Sequence, residues 1–349
     1  MRVGFFSDSY FPEIDGVAYT LKLWKERLEE RGHEVHIFYP GSSGYSPAEN
    51  EHPVHSVPNP FYAGYNVPVP VGMDIPELDI VHCHTPLMLG YRGRLHAYLN
   101  DIPAVYTHHT PIEEYFEQNL KSSFLSDLLG TVYIPFENLF LNSFDLVTSN
   151  TSDINRKVEA IELPVGIDLE FFQPSDENSI LDEFGVDTDK PVIGYSGRIS
   201  IEKNVERVAE LAEKMDASVI IIGEGPRRKK IESRFDDVVF HDFIDRERLP
   251  EFYSSLEVFV TASTGDTLGL SPLEANACGT PVVAPDVYPF YDTISDGNGL
   301  RFDLDDEGDI VRKVKRAIDE ERDTRDAVKD YSLDKTINML ESRYGELSG

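Results

Sequence analysis

The segment Pro191-Val-Ile-Gly-Tyr-Ser-Gly-Arg-Ile-Ser-Ile-Glu-Lys-Asn204 carries, with the residues after it, the signal that decides the fold. Its apolar run Val192–Tyr195 predicts a short buried strand. A glycine-containing turn follows. Apolar residues then recur at helical spacing at Val205, Val208, Ala212 and Met215. Strand, turn and helix in this order predict one unit of a parallel α/β sheet.

The same alternation extends in both directions along the chain. Strand-like runs cover Val3–Phe6, Val35–Tyr39, Ile80–His82, Ala104–Thr107 and Leu146–Thr148 in the first half, and Val192–Tyr195, Val219–Ile222, Val238–His241, Val258–Thr261 and Val282–Ala284 in the second. The helix after the first run has one apolar stripe and ends near Gly32. The pattern predicts two doubly wound, Rossmann-like α/β domains, which bind ligands beyond the carboxyl ends of their strands.

The length of 349 residues also favours two domains. Proline, glycine and acidic residues accumulate between Leu163 and Pro191, where the domains should meet. We expect an N-terminal domain at 1–170 and a C-terminal domain at 171–330. Residues 331–349 should form a helix that packs back on the N-terminal domain.

Charge excludes two classes of partner. The chain has 63 acidic and 32 basic residues, a formal net charge of −31. Nucleic-acid binding and a polybasic lipid anchor both need a cluster of basic residues, so this excess of acidic residues argues against both. Among the basic residues, 19 are Arg and only 13 are Lys. Acidic surfaces with little lysine favour a halophilic, salt-adapted protein over an ordinary acidic one, because salt screens the self-repulsion.

The cellular location is predicted from cysteines and apolar runs. Cys83 and Cys278 lie far apart inside apolar segments, which indicates free thiols and a reducing compartment. The N-terminus lacks the apolar core of a signal peptide, and no run is long enough to span a membrane. We therefore expect a cytoplasmic protein, peripheral at the inner face of the cell membrane if its acceptor is a lipid.

The sequence lacks the glycine motif of a dinucleotide-binding site. The motif G-x-G-x-x-G should follow the first strand, but that strand leads instead to Ser7-Asp-Ser-Tyr-Phe-Pro-Glu-Ile-Asp-Gly16. The later Gly223-Glu-Gly225 lacks the third glycine. Nicotinamide chemistry is therefore not expected.

The loop after Val192–Tyr195 has the composition of an anion site. Its glycines let the backbone approach a ligand, the next helix offers N–H groups, and Arg198 and Lys203 add two cations. Together they suit a diphosphate. The alternative is a tight turn whose two cations only form surface ion pairs.

A second motif lies between Thr264 and Ala284. Ser271 suits an N-cap and Gly279 a helix end, and Glu274 stands at capping-box spacing from Ser271. Glu274 thus either caps the helix or accepts hydrogen bonds from ribose hydroxyls. Asp266, on the loop before the helix, is expected to reach the same pocket.

The ordered set of motifs resembles the retaining, nucleotide-sugar-dependent glycosyltransferases of family 4, which have the GT-B fold. The set comprises Phe11-Pro12…Asp15-Gly16-Val17, Gly32-His-Glu-Val35, His82-Cys-His-Thr-Pro86, Thr107-His-His-Thr110, Pro164-Val-Gly-Ile-Asp168, Gly197-Arg198…Glu202-Lys-Asn204, Gly223-Glu-Gly-Pro226 and the segment 266–274. Each motif is weak alone, but the order is specific. The resemblance implies two domains that face a cleft.

The resemblance also assigns roles in donor binding. Arg198 and Lys203 match the pair that holds the diphosphate, and Glu274 matches the second carboxylate of the E-x7-E motif, which holds the ribose. The other donor-binding matches are glycines and a loop amide: Gly16, Gly223, Gly269 and Leu270. His109 matches the histidine that reaches the transferred sugar. His109, Arg198, Lys203 and Asp266 form the implied catalytic set.

Two residues depart from the family pattern. The first carboxylate of E-x7-E is Asp266, which reaches roughly 1.5 Å less than glutamate. Since the family residue contacts sugar hydroxyls, donor choice or rate should differ. In the first loop, Asp15 replaces one glycine of a pair, and a carboxylate near phosphates is unfavourable unless it points away.

No metal and no cofactor are expected. His82 and His84 share a strand face without a matching third ligand, which favours a structural role. Two D-x-D pairs, at Asp187 and Asp303, are expected by chance in so acidic a chain. The basic run Arg227–Lys230 favours a solvated helix face over an anion site.

Residues 115–145 carry dense apolar stripes. Core packing is the first interpretation; a groove for an apolar acceptor and a patch that rests on a membrane are the alternatives. The residues Thr107, His109, Thr110 and Tyr115 resemble the branch of the family that glucosylates diacylglycerol.

The predicted function is retaining transfer of a hexosyl group from a nucleoside diphosphate sugar to a hydroxyl of a lipid, lipid-linked or glycan acceptor. A nucleotide-sugar epimerase of the same fold would instead convert the donor without acceptor. A non-catalytic sugar-nucleotide-binding protein, which Asp266 makes conceivable, would bind the donor without turnover.

Overall fold

A computed structural model describes residues 1–12, 16–59, 66–109, 133–150, 156–177, 179–266 and 268–349. The chain divides into two units. Unit 1 comprises Met1–Gly166 together with Asp334–Gly349, and unit 2 comprises Ile167–Leu333. Each unit is built around its own parallel sheet.

The sheet of unit 1 has seven strands in the order β3-β2-β1-β6-β7-β8-β9, all parallel. The strands of this sheet are β1 Arg2–Phe6, β2 Glu34–Pro40, β3 Glu51–Val54, β6 Ile80–Cys83, β7 Ala104–His108, β8 Leu146–Ser149 and β9 Ile161–Glu162. A separate antiparallel pair is formed by β4 Ser56–Pro58 and β5 Asn66–Pro68. Strand order reverses between β1 and β6, so the loops after these strands diverge and leave room for a ligand.

The sheet of unit 2 has six parallel strands in the order β12-β11-β10-β13-β14-β15. Their bounds are β10 Val192–Ser196, β11 Ser218–Ile222, β12 Val238–His241, β13 Val258–Val260, β14 Val282–Pro285 and β15 Gly299–Phe302. Order reverses between β10 and β13, which brings together the loops that carry Arg198, Lys203 and Asp266. All ten strands predicted from the sequence are confirmed, to within one or two residues at their ends.

Helices cover both sheets. In unit 1 they are α1 Gly16–Glu30, α2 Met88–Asn100 and a helical segment at 133–141. In unit 2 they are α3 Ser179–Glu183, α4 Val205–Ala209, α5 Leu211–Lys214, α6 Arg228–Glu232, α7 Leu249–Ser254, α8 Leu270–Ala277, α9 Phe290–Thr293, α10 Asp309–Asp319 and α11 Thr324–Ala327, with short 3₁₀ turns at Arg246–Arg248 and Lys329–Tyr331. The predicted helix after Asn204 is therefore two short helices, α4 and α5.

The last helix, α12 (Leu333–Ser348), completes the core of unit 1. Its Tyr344 is fully buried, and the hydroxyl lies 2.6 Å from Nδ1 of His82 on β6. Thr336 donates to the carbonyl of Pro164 at 2.8 Å. In the described part of the chain, no helix is both long and apolar enough to cross a membrane.

Candidate active site

Two glycine loops of unit 2 are packed backbone against backbone. One follows β10 and the other follows β11; the amide of Gly197 donates to Ile222 at 3.0 Å, and that of Ile199 donates to Glu224 at 2.8 Å. A Cβ on Gly223 would lie 1.9 Å from the carbonyl oxygen of Gly197, and Gly223 has φ +145°. Only glycine fits such a close approach of two backbones, so this part of the site requires glycine at position 223.

Replacing Gly223 by alanine should displace both loops. We expect a fall in melting temperature, on the order of several degrees for a strain of about 1–3 kcal/mol, together with loss of donor binding in calorimetry. Gly185→Ala is a matched control, because Gly185 also has positive φ (+71°) but nothing within 4 Å of its Cβ position. An unchanged donor affinity in Gly223→Ala would contradict the role given to this loop.

Lys203 and Asp266 meet although 63 residues separate them. The side chain of Asn204 holds the two loops together by donating to the carbonyl of Ala262 at 3.1 Å. The amide of Thr264 donates back to Glu202 at 2.8 Å. The result is a hydrogen-bonded ion pair, with Nζ of Lys203 2.5 Å from Oδ1 of Asp266 and about a fifth of each side chain exposed. The ammonium therefore stands in a defined position before any ligand arrives.

Arg198 lies in the same loop, two residues beyond β10, and is exposed. Its carbonyl oxygen accepts a hydrogen bond from the hydroxyl of Tyr195 at 2.9 Å, which ties the turn to the strand. Arg198 and Lys203 thus share one short loop at the carboxyl end of β10, and Asp266 reaches Lys203 from the loop after β13.

The N-cap prediction for Ser271 is wrong, and of the two alternatives for Glu274 the capping one is not realised. Gly269, with φ +75°, is the residue before α8, so Ser271 lies inside the first turn of the helix and no side chain caps it. Leu270 begins the helix. A Cβ on Gly269 would lie 2.8 Å from the ring of Phe290, which requires glycine there. The predicted helix end is correct, since Gly279 follows α8 with φ +93°.

Glu274 is instead held by Tyr253. The Tyr253 hydroxyl donates to Oε2 of Glu274 at 2.9 Å, and it also interacts with the side chains of Ser271 and Ser196. Burial raises the pKa of the Glu274 carboxyl, and the Tyr253 hydrogen bond opposes this shift. The carboxylate can therefore accept further hydrogen bonds from a ligand. Sequence reasoning missed Tyr253, because nothing in the pattern of α7 distinguishes it from a core tyrosine.

In unit 1, Gly16 begins α1 and is exposed. Its carbonyl accepts from the hydroxyl of Thr20 at 2.7 Å. Asp15, the departure in the first loop, lies outside the described residues, as do Thr110 and Tyr115. The same holds for the first part of the apolar stretch 115–145.

His109 follows β7 and is 8% exposed. Its Nε2 lies 3.0 Å from Nδ1 of His84, which follows β6. His82 lies beside His84, with ring centroids 4.1 Å apart, but its own nitrogens bond to Tyr344 and to Thr107, each at 2.6 Å. Among the described residues, no three side chains are grouped so that they could hold a metal. His82, His84 and His109 form a buried cluster in which each ring has a hydrogen-bond partner.

The basic run and the D-x-D pairs have local roles. Arg227 pairs with Glu206 at 2.8 Å, and Arg228 pairs with both Glu224 and Asp242 at 2.5 Å. In each D-x-D pair, the first carboxylate accepts from the amide two residues later. These acids form turns, and the two arginines of the run already have carboxylate partners.

Two family models match the two halves of the chain. "Glycosyltransferase Family 4" matches residues 14–170, and "Glycosyl transferases group 1" matches residues 176–334. The alpha-monoglucosyldiacylglycerol synthase of Streptococcus pneumoniae is 30% identical over 323 residues, which cover 81% of this chain and 71% of that protein. A GDP-mannose-dependent alpha-mannosyltransferase of Mycolicibacterium smegmatis is 28% identical over 326 residues, covering 87% and 85%.

Solved structures match over nearly the whole chain. Sucrose-phosphate synthase from Thermosynechococcus elongatus superposes with a TM-score of 0.76 at 17% identity, covering 99% of this chain and 98% of that one. Anabaena Alr3699/HepE in complex with UDP gives 0.74 at 15% identity, covering 99% and 100%. These likenesses show the fold, and the predicted GT-B class is confirmed.

Proposed function

The chain belongs to the family 4 glycosyltransferases, and from this premise we propose that it moves a hexosyl group from a nucleoside diphosphate sugar to a hydroxyl group of a lipid acceptor. The observation that carries the donor half of the proposal is the Lys203–Asp266 ion pair beside the glycine loops of unit 2. The lipid half is supported by the relatives that are named alpha-monoglucosyldiacylglycerol synthases.

The diphosphate would lie against the loop after β10. Arg198 and Lys203 supply two positive charges, and the Asp266 carboxylate keeps the Lys203 ammonium from turning into solvent. A cation held before the reaction stabilises the negative charge that develops on the leaving diphosphate without having to reorganise. With these two charges in the site, the reaction as we propose it uses no metal ion or cofactor.

The nucleotide ribose would bind at Glu274. A carboxylate held by Tyr253 at 2.9 Å has free lone pairs for two ribose hydroxyls. Asp266 is the matching carboxylate for hydroxyls of the sugar, and Gly269 and Leu270 offer amides at the start of α8. We propose that configuration is retained and that the leaving phosphate takes the proton of the acceptor hydroxyl. On this view the protein orients both substrates and stabilises charge.

An exposed apolar surface of unit 1 supports membrane contact. α2 contains no acidic residue. Its N-cap and four of its own residues expose apolar side chains: Leu87, Met88, Leu95, Tyr98 and Leu99. The segment 133–141 packs beside it through Tyr91 and Phe140, 4.2 Å apart, and exposes Phe136 and Leu139. Its one acid, Glu137, is buried in an ion pair with Arg156 at 2.5 Å. We call these seven exposed side chains the apolar face.

On a protein with a net charge of −31, a helix without acidic residues approaches a lipid headgroup layer at a lower electrostatic cost than the acidic remainder of the surface. Apolar side chains there insert at the boundary between headgroups and acyl chains. We therefore propose that the enzyme is cytoplasmic and peripheral, and reaches its lipid acceptor from the membrane surface.

Removing part of the apolar face should weaken membrane binding. In the variant Tyr98→Ser/Leu99→Ser/Leu139→Ser, we expect affinity for phosphatidylcholine vesicles that contain diacylglycerol to fall by about tenfold or more, at roughly 25 cal/mol per Å² of apolar area. Co-sedimentation measures it. Tyr291→Ser, which removes an exposed aromatic of unit 2, is the control. Equal binding by the triple variant and the wild type would exclude this face as the membrane contact.

A donor panel tests the function. UDP-, GDP- and ADP-hexoses are incubated with the enzyme and a lipid extract, in low and molar salt, and nucleoside diphosphate release is followed. We expect nucleoside diphosphate to be released from one of these donors, and only when the acceptor is present. The release should persist in molar salt if the acidic surface is a salt adaptation. Conversion of a donor without acceptor would favour the epimerase, and binding without turnover would favour the non-catalytic protein.

A further inference from the structure

Among the described residues, a buried imidazole nitrogen of the histidine cluster in unit 1 lacks a hydrogen-bond partner. His84 and His109 share the hydrogen bond of 3.0 Å, and their rings are stacked with centroids 5.3 Å apart. Trp24 of α1 packs beside both rings. Nε2 of His84 is buried and lacks a hydrogen-bond partner in the part of the chain that the structure describes.

Burial favours the neutral form of both imidazoles. Burial lowers the pKa of His109 to about 3, with a further contribution from His108. Burial also holds the pKa of His84 well below its usual value, and the neighbouring imidazoles of His82 and His109 add to the shift. A neutral imidazole carries a single N–H, so only one of the two rings donates in their shared hydrogen bond.

The unpartnered nitrogen decides which ring donates. If Nε2 of His109 carried the proton, His84 would accept at Nδ1 and carry its own proton on Nε2, as a buried N–H without acceptor. If Nδ1 of His84 carries it, the nitrogen left alone is a bare acceptor. Buried N–H groups without a partner are the rarer defect in native proteins. The second arrangement is therefore favoured.

We infer that His84 is a positioning residue that holds His109 in the tautomer with its proton on Nδ1. Nε2 of His109 is then occupied by His84, and Nδ1–H is what this ring offers to a ligand. His109 accordingly donates a hydrogen bond to a substrate oxygen and does not act as a general base. The tautomer follows from the cluster alone; only the identity of that oxygen, on the transferred sugar, rests on the proposed function.

Nitrogen-15 NMR of the histidine-labelled wild-type enzyme tests the tautomer directly, since protonated and bare ring nitrogens are separated in chemical shift. The signals of His109 are assigned by their loss in His109→Gln. We expect a protonated Nδ1 and a bare Nε2 in His109, and a protonated Nδ1 in His84. A protonated Nε2 in His109 would overturn the inference.

Kinetics of two His84 variants test the positioning role. His84→Asn keeps an N–H donor near the place of Nδ1, whereas His84→Leu removes it. We expect His84→Leu to lower kcat by about tenfold or more with the donor KM unchanged, as a misplaced contact does, and His84→Asn to recover most of the loss. If His109→Ala lowers kcat, a folded His84→Leu enzyme with wild-type kcat would overturn the role.

Two further variants separate packing and function from positioning. His82→Leu removes an equally buried ring but no hydrogen bond to His109; it should lower the melting temperature and leave the His109 signals unchanged. His109→Ala tests the proposed function by itself. If it keeps wild-type kcat while the NMR shows the inferred tautomer, the assignment of His109 to the sugar fails and the inference about His84 and the tautomer stands.

Discussion

Replacing Lys203 by alanine is expected to lower the turnover number by about 100-fold or more, and replacing Arg198 should have a similar effect. The reason is that a cation fixed beside the leaving diphosphate is worth most in the transition state, when negative charge grows on the phosphate. Lys203 is fixed in this way by its 2.5 Å contact with Asp266. Steady-state release of nucleoside diphosphate, with the accepted donor, measures the change.

Lys190→Ala is the matched control for this prediction. Lys190 also belongs to unit 2 and forms an ion pair, with Asp216 at 2.9 Å, but about half of its side chain is exposed. Exposed ion pairs of this kind contribute little to the stability of a protein, so the turnover of the Lys190→Ala variant should not change. Near-wild-type turnover in both Arg198→Ala and Lys203→Ala would show that the diphosphate binds elsewhere.

Asp266→Asn is expected to reduce turnover by a comparable factor, about 100-fold, by a different route. The amide is isosteric with the carboxylate but lacks its negative charge, so its oxygen holds the ammonium of Lys203 more weakly. The lysine can still meet the phosphates of the bound donor, so KM for the donor should stay level or fall while kcat drops. A loss confined to kcat is the mark of an interaction needed in the transition state.

Asp266→Glu separates the charge from the reach of the side chain. Glutamate keeps the carboxylate and extends it by roughly 1.5 Å. We expect turnover within about tenfold of wild type, with a changed preference among donor sugars, because the carboxylate also meets sugar hydroxyls. If Asp266→Asn keeps wild-type kcat and Asp266→Glu keeps the same donor preference, Asp266 has neither role.

The strands that sequence reasoning found are mostly those buried on both faces, the edge strand β12 being the exception. Continuous runs of Val, Ile and Phe, such as Val219–Ile222, are typical of a central strand in a parallel sheet. In the two parallel sheets the missed strands are β3 (Glu51–Val54), β9 and β15 (Gly299–Phe302), all at sheet edges, and the short pair β4 and β5 was missed as well. Edge strands carry charge, proline or glycine in place of an apolar run, so their sequences resemble loops.

The candidate site was predictable where backbone geometry demands a residue type, and less so where side chains meet across the fold. Gly223 and Gly269 are positions that only glycine fills. The capping alternative for Glu274 is not realised, and its partner, Tyr253, lies 21 residues away on another helix. The His84–His109 contact likewise depends on the pairing of β6 with β7, which no local pattern encodes.

The division of the chain has a consequence for its synthesis. The two crossings between units are adjacent in space, since the amide of Leu333 donates to Ile167 at 2.8 Å and that of Ile167 to Tyr331 at 2.7 Å. Unit 2 is thus an insertion within unit 1. During translation its sequence emerges whole before α12 does, so unit 2 can finish folding first. Unit 1, although it emerges earlier, must wait for Tyr344 to cover His82 and close its core.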